Sequence, residues 1–576
     1  MAKRLKAPAL VAVAVAVTMP LVACSTPSGS SSSAGVGGSA KGGTVYVLTK
    51  RSAEHLDPQR MYIGRDLAYM GRIAYRSLLT FKVTKDATEA NTPVPDLATD
   101  TGKSENGGKQ WSFTLKDGVK WQDGKDITCD DLKYGVSRSF ATDVITGGPN
   151  YILGMLDVPM DPTTKLPVYQ GPYKKTGQDG FDKAVTCSGK TITYKFNKPW
   201  PDFPLAIMSL RAFDPYRADQ DKGDASNFAV FSDGPYMLDG TWTKGTGGTF
   251  VRNPNWDAKT DTVRTALPDK FVFTEGLTNE VINQRLIADG GNDQMAVTDR
   301  VVPPAMYGDV SGAVADRSVQ VASPYVNYLL PNFKVMTNPK VRAALALATD
   351  RAGYSAALGG DKASMPAKSI INPSLVGYAD NPTFANVPAA GDIAGAKKLL
   401  AEAGVTLPIK IKYTYSGGTP TSDKSAAALK AGWDAAGFET TLDPLTDTYY
   451  DVIQNPASQF DVCWGGWGAD WPSASTVIPA LFDSRLNLTE KSNGQDYGNY
   501  ASDAVNKAID EAAAMPDVAA AGAAYAKIDA TLGQDTAYIP LDITTFFLLH
   551  GSKITGYVNN PGTSMYVDLA GVGVKS

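Results

Sequence analysis

The first clear pattern along the chain is a change of period. "GGTVYVLT", from Gly42 to Thr49, is a short β-rich run entered through glycines and predicts a strand. In "RDLAYMGRIAYRSLL" the side chains at Leu67, Met70, Ile73, Ala74, Ser77 and Leu78 recur at helical spacing, so a helix follows the strand. Further on, "WSFTLKDGVKWQDGKDIT" alternates Trp111, Phe113 and Leu115 before Asp117-Gly118, then Val119 and Trp121 before Asp123-Gly124, which predicts a hairpin or meander. "CDDLKYGVSRSF" returns to helical spacing, with acidic residues in its first turn.

The second half is more regular. "NPKVRAALALATDR" carries Asn338 as an N-cap, Pro339 at the first helical position and Val341, Leu345 and Ala348 on one face. "GDIAGAKKLLAEAG" opens at Asp392 and stops at Gly404. A strand "PIKIKYTYS", a helix "SDKSAAALKAGWDAAG" stopped by Gly437 and a strand "FETTLDPL" complete a succession that predicts a mostly parallel sheet covered by helices. "QFDVCW" reads as a further strand of that unit, which leaves "GGWGADWPSA" as the loop at its carboxyl end. In open α/β sheets ligands bind outside the carboxyl ends of strands. Trp464, Trp467 and Trp471, crowded around one carboxylate, Asp470, therefore stand where a cleft is expected.

Composition narrows the classes. The chain has 576 residues, 43% hydrophobic and 20% charged, which is an ordinary globular balance with length for two to four domains. A net charge of −4 provides no basic surface for nucleic acid. The amino end departs from this balance: Lys3, Arg4 and Lys6 precede "PALVAVAVAVTMPLVA", an apolar run short of the roughly 20 residues that span a bilayer, and this reads as an export signal over residues 1–23. Leu21-Val22-Ala23-Cys24 resembles the bacterial lipobox, in which the cysteine thiol accepts a diacylglyceryl group; an ordinary export signal with an incidental Cys24 is the alternative. Residues 24–41 form a Ser/Gly tether. With Cys24 acylated, Cys129, Cys187 and Cys463 remain, and an odd set leaves one thiol unpaired. Cys129 and Cys187 fall in one region and are the candidate bridge, Cys463 in its apolar run the candidate buried thiol, although spacing alone does not fix the pairing.

Five segments in order, "HLDPQRMYIGRDLAYMGRIAYRSLLTF", "LKDGVKWQDGKDITCDDLKYGVSRSF", "SDGPYMLDGTW...FVRNPNWD", "NPKVRAALALATDR" and "DVCWGGWGADWPSA", resemble the extracytoplasmic solute-binding proteins of the peptide/nickel family, which includes the oligopeptide- and dipeptide-binding proteins of ABC importers. The resemblance implies an α/β fold: a two-lobed hinged clamp with an additional inserted domain. Lobe 1 would comprise residues 42–81, 230–320 and 535–576, the inserted domain 82–229, and lobe 2 321–534. In peptide-binding members the aspartate of a W-x-A-D motif takes the ligand's α-ammonium group, and Trp467-Gly468-Ala469-Asp470 matches it residue for residue. The chemistry is sound, since an ammonium shut away from water needs a fixed carboxylate. Gly466 and Gly468 would let a peptide backbone approach as an added strand, and Trp467 and Trp471 would wall its side chains. Tyr325, in "SPYVNYLLPNF", matches a segment that reaches peptide backbone in relatives, and His55 lies in a loop that the family points into the cleft.

Each residue also has a plainer role. Asp470 suits an Asx-turn or helix N-cap, Trp464 and Tyr325 suit core packing, and His55 suits a solvated loop. One departure from the family stands out. Dipeptide binders fix the ligand carboxylate with an arginine shortly after a strand like "IKIKYTYS", where this chain has "SGGTPTSDK"; longer peptides or another solute are favoured. The reading is thus a lipid-anchored monomeric receptor at the outer face of the cytoplasmic membrane, delivering oligopeptides to an ABC permease without cofactor, metal or catalytic residues. The same fold binding an oligosaccharide or other non-peptide solute is the alternative. A secreted hydrolase is remote, because Gly-x-Ser-x-Gly and His-Glu-x-x-His are both missing, and His55 and His550 alone support no nickel site.

Overall fold

A computed structural model describes residues 41–147 and 150–575; the export signal and Cys24 lie outside the described residues, as does nearly all of the tether. Thr44–Leu48 buries Val45 and Val47 completely and pairs in parallel with Lys270–Thr274 on one side and Ala296–Thr298 on the other. The antiparallel strands Gly247–Arg252 and Tyr236–Thr243 extend this sheet to five. Helix Gly64–Ile73 lays Ala68, Tyr69, Met70 and Ile73 into the same core as Val45, Val47, Phe271 and Phe273, but it stops at Ile73, so Ser77 and Leu78, expected on its face, lie beyond it. Arg72 on that helix is buried and makes a bidentate pair with Asp568, at 2.8 and 2.9 Å, which ties the carboxyl-terminal segment down.

The inserted domain is built on a four-stranded antiparallel sheet ordered Lys103–Glu105, Gln110–Thr114, Thr191–Lys195 and Val185–Ser188. The expected meander is only half there. Gln110–Thr114 pairs with Thr191–Lys195 rather than with the run from Val119 to Trp121, of which Val119 and Trp121 turn inward, each 2% exposed, as plugs of the core. Helix Cys129–Arg138 starts at a capping box between Thr128 and Asp131, and a Cys129–Cys187 disulfide fastens it to the sheet. Phe113, Tyr194, Trp200, Phe203 and Phe213 fill the space between.

The third sheet has six strands, ordered Ser364–Pro366, Ile539–Leu549, Ser318–Pro331, Val462–Gly468, Ile409–Ser416 and Phe438–Leu445. Only the last three run parallel, so the sheet is mixed rather than mostly parallel. The reason is that two long strands, Ser318–Pro331 and Ile539–Leu549, enter it antiparallel from the first lobe. Ile539 and Leu541 sit in the second lobe's core, whereas Phe547 and Leu549 pack with Leu48, Ile282 and Val302 of the first. Their register slips between Ala322 and Val326, leaving Ser323–Tyr325 out of the ladder where the chain passes between lobes. The helices Pro339–Leu347, Ile393–Ala403 and Pro420–Ala436 begin at side-chain caps on Asn338, Asp392 and Thr419.

Candidate functional site

The strand containing Trp464 is longer than its sequence suggests. Val462–Gly468 runs through the glycines, pairing antiparallel with the crossing strand, and the loop begins only at Ala469. The glycines serve this pairing. A Cβ on Gly468 would lie 2.6 Å from the Tyr325 ring, one on Gly465 2.6 Å from the Tyr328 ring, and one on Gly466 2.8 Å from Asn327 Oδ1. Side chains of the crossing strand thus lean across three bare Cα atoms, and the strand delivers its loop close against them.

That loop presents Asp470. Its Oδ1 accepts the Tyr62 hydroxyl at 2.6 Å, from the first lobe, and its Oδ2 accepts the Tyr151 hydroxyl, from the inserted domain. Neither oxygen caps its own turn; that task falls to Ser473, which accepts from Ser475 N–H. Burial pushes the Asp470 carboxyl above the usual carboxylate range, and the two phenol hydrogen bonds pull it part of the way back. Both phenols are themselves raised by burial and by the neighbouring carboxylate.

Asp470 faces a cavity of about 550 Å³. Tyr62 and Gly64 line it from the first lobe, Met208 and Arg211 from the inserted domain, and Tyr325 from the crossing strand. Arginines also reach the wall, but buried carboxylates hold most of them: Arg72 with Asp568, Arg65 with Asp66 and Asp299, Arg300 with Asp299, Arg211 with Asp214. Among the described residues, no basic side chain lies within ion-pair distance of Asp470, so this half-buried carboxyl is held by neutral donors only.

A second chamber of about 410 Å³ adjoins the first, sharing Val301 and Thr544 as walls. Tyr307, Tyr413, Tyr415 and Trp464 line it. Its one basic residue, Lys362, holds Nζ 5.1 Å from the centre of the Tyr307 ring and 4.7 Å from that of Phe547. Among the described residues, no carboxylate lies within ion-pair distance of Lys362. Asp542, also lining, is fully buried, with Asn327 and Ser364 donating to its two oxygens. No group of three or more His, Cys, Asp and Glu among the described residues is placed to hold a metal ion.

The residues singled out in the sequence thus separate. Asp470, Gly468, Tyr325 and Trp471 line the first cavity; Trp467, Gly466 and His55 do not. Trp467 is half-buried against the second lobe's core and donates its indole N–H to the Thr476 carbonyl at 2.9 Å. The Trp471 ring is 6% exposed and belongs to the inserted domain's aromatic core, 4.9 Å from Tyr151 and 5.8 Å from Trp200, so it fastens the loop more than it walls the cavity. His55 Nδ1 bonds Asn227 Oδ1 at 2.9 Å, outside the cavity. Tyr62 and Tyr151, which complete the Asp470 site, carry no local signal, because their approach to Asp470 is made entirely by the tertiary fold.

Residues 92–487 match the family described as bacterial extracellular solute-binding proteins, family 5 Middle. The chain is similar to the dipeptide-binding protein of Lactococcus lactis subsp. cremoris, 26% identical over 81% of this chain and 84% of that one. It is also similar to the periplasmic oligopeptide-binding protein OppA of Salmonella typhimurium, 25% identical over 80% and 81% respectively. Among solved structures, clavulanic acid biosynthesis oligopeptide binding protein 2 superposes with a TM-score of 0.83 at 25% identity, covering 93% of this chain and 96% of that one. The unliganded open form of the murein tripeptide-binding protein MppA shares the fold, with a TM-score of 0.72 at 21% identity over 93% and 98%. With its two lobes, crossing strands and inserted domain, the chain belongs to family 5 of the bacterial extracellular solute-binding proteins.

Proposed function

We propose that the protein is a lipid-anchored extracytoplasmic receptor, acting as a monomer, that captures oligopeptides between its lobes and hands them to an ABC-type permease. The observation that carries this reading is the half-buried Asp470 carboxylate, which faces a cavity of about 550 Å³ with phenols for partners and, among the described residues, no cation within ion-pair distance. A peptide α-ammonium would supply the missing charge, and its own desolvation would be offset by the same contact. The relatives named as dipeptide- and oligopeptide-binding support the solute class. The adjoining chamber supports length: a peptide started at Asp470 and continued past Thr544 would bring a carboxylate toward Lys362, which takes the part that the absent loop arginine plays in dipeptide binders. In this reading lobe 1 comprises residues 42–81, 230–320 and 535–576, the last entered by a strand whose first residues pack in lobe 2, the insert 82–229, and lobe 2 321–534, with Cys24 carrying the lipid and residues 24–41 the leash.

Mass spectrometry of the solute that copurifies, followed by calorimetry with that peptide and its N-acetyl form, tests the proposal. The free-amine peptide is expected to bind, and acetylation, which removes the cation facing that carboxylate, to weaken it by about 3–5 kcal/mol where the closed cleft buries the pair fully. Copurification of an oligosaccharide, with affinity indifferent to Asp470→Ala, would overturn it. Labelling with radioactive palmitate, lost in Cys24→Ala, tests the anchor separately.

A further inference from the structure

Asp202 stands at the start of helix Phe203–Ser209, where an aspartate ordinarily accepts a backbone N–H from the first turn. It makes no such cap. One of its carboxylate oxygens instead accepts the Trp471 indole N–H at 2.7 Å and the hydroxyl of Ser475, both from the loop of the opposite lobe. The joint is dry: Asp202 is 5% exposed. The helix that Asp202 begins leads directly into Met208, Ser209, Leu210 and Arg211, the inserted domain's share of the cavity wall. On the loop side, Trp471 follows Asp470 immediately, and the Asp470 N–H is held by Thr476 Oγ1 at 3.2 Å. Asp470 is therefore suspended between an anchor within its own lobe and one on the insert.

We infer that Asp202 is a positioning residue: acting through Trp471 and Ser475, it sets the place of the Asp470 carboxylate relative to the cavity wall, so that recognition of an ammonium depends on the insert being docked. The inference rests on the proposed contact between Asp470 and a ligand ammonium. Its physical basis is that a buried carboxylate shared by two donors has no favourable half-way state. Withdrawing the loop strands the carboxylate until water enters, so the joint is either made or open.

The test uses the full chain with Asp202→Ala, Asp202→Asn and Trp471→Phe, the last keeping an aromatic ring but losing the N–H. Two quantities are read: amide hydrogen exchange of residues 469–476 without ligand, and the ratio of affinities for a copurified peptide and its N-acetyl form. Asp202→Ala and Trp471→Phe are each expected to speed exchange in that segment by about tenfold or more and to reduce the free-amine preference by a similar factor, with no further loss when combined. Asp202→Asn, which keeps an acceptor oxygen, is expected to recover most of both. Equal weakening of the two ligands with an unchanged ratio, or exchange that stays as in the parent, overturns the role. A parent protein with no preference for the free amine would instead refute the ammonium contact, while the exchange measurement still decides whether Asp202 holds the loop.

Discussion

Asp470 and the bare strand before it make separable demands on single side chains. Because burial raises the Asp470 carboxyl, affinity for a free-amine peptide is expected to fall on acidification at a pH above the usual carboxylate range. It should fall again above about pH 8 as the α-amine loses its proton. Calorimetry from pH 4 to 9 should therefore give a bell, and Asp470→Asn should abolish its acid limb along with most of the affinity. Gly468→Ala places a methyl 2.6 Å from the Tyr325 ring, which must swing into the cavity or shift the strand. A stability loss of about 1–3 kcal/mol is expected in thermal unfolding, restored in part by Tyr325→Ala. At this scale the sequence was informative where chemistry is local. The W-x-A-D stretch singled out Asp470 and Trp471, both of which line the cavity, but nothing near Trp471 announces Asp202 or the aromatic core that receives the ring. Glycine-rich backbone likewise suggested an open loop, when the space above it is filled by Tyr325 and Tyr328 from the neighbouring strand.

Among elements, the two crossing strands carry the most unusual burden. Asp542, within Ile539–Leu549, is completely buried, and burial pushes its carboxyl up to about 6. A carboxyl raised on folding contributes stability that is present at low pH and lost as pH rises through the folded value. Asp542→Asn should therefore be stabilising relative to the parent at pH 8, by on the order of 3 kcal/mol if its oxygen keeps the Asn327 donor and the Ser364 hydroxyl turns to accept the new amide N–H. Denaturant unfolding at pH 8 and pH 5 should show that gap narrowing by about 1 kcal/mol or more toward acid. The helices of the second lobe were legible from their caps and stops, Asn338, Asp392, Gly404 and Gly437, since capping is a contract between near neighbours. The mixed direction of the sheet was not. Whether Val462–Gly468 lies beside a parallel or an antiparallel partner depends on a strand that starts over a hundred residues earlier.

For the whole molecule, the disulfide and the ligand act on different parts of the same stability. Cys129 and Cys187 are 58 residues apart, and replacing both by alanine should cost about 4 kcal/mol in the chain-entropy account, read as a lower thermal midpoint with the aromatic core of the insert intact. A bound peptide at a hundred times its dissociation constant should add about 2.7 kcal/mol, and the two effects should be additive if capture leaves the insert's core unchanged. A clamp with an insert was accessible only through the ordered resemblance of five segments, because alternation and helical period say nothing about which sheet a late strand will join. The Arg72–Asp568 pair shows what that interleaving demands of a newly made chain. The guanidinium and its carboxylate are 496 positions apart, so a chain made amino end first leaves Arg72 without this partner until Asp568 has been added. That pair is thus among the late contacts of the fold, and the stretch around Asp568 serves as the keystone of the arch rather than as a tail.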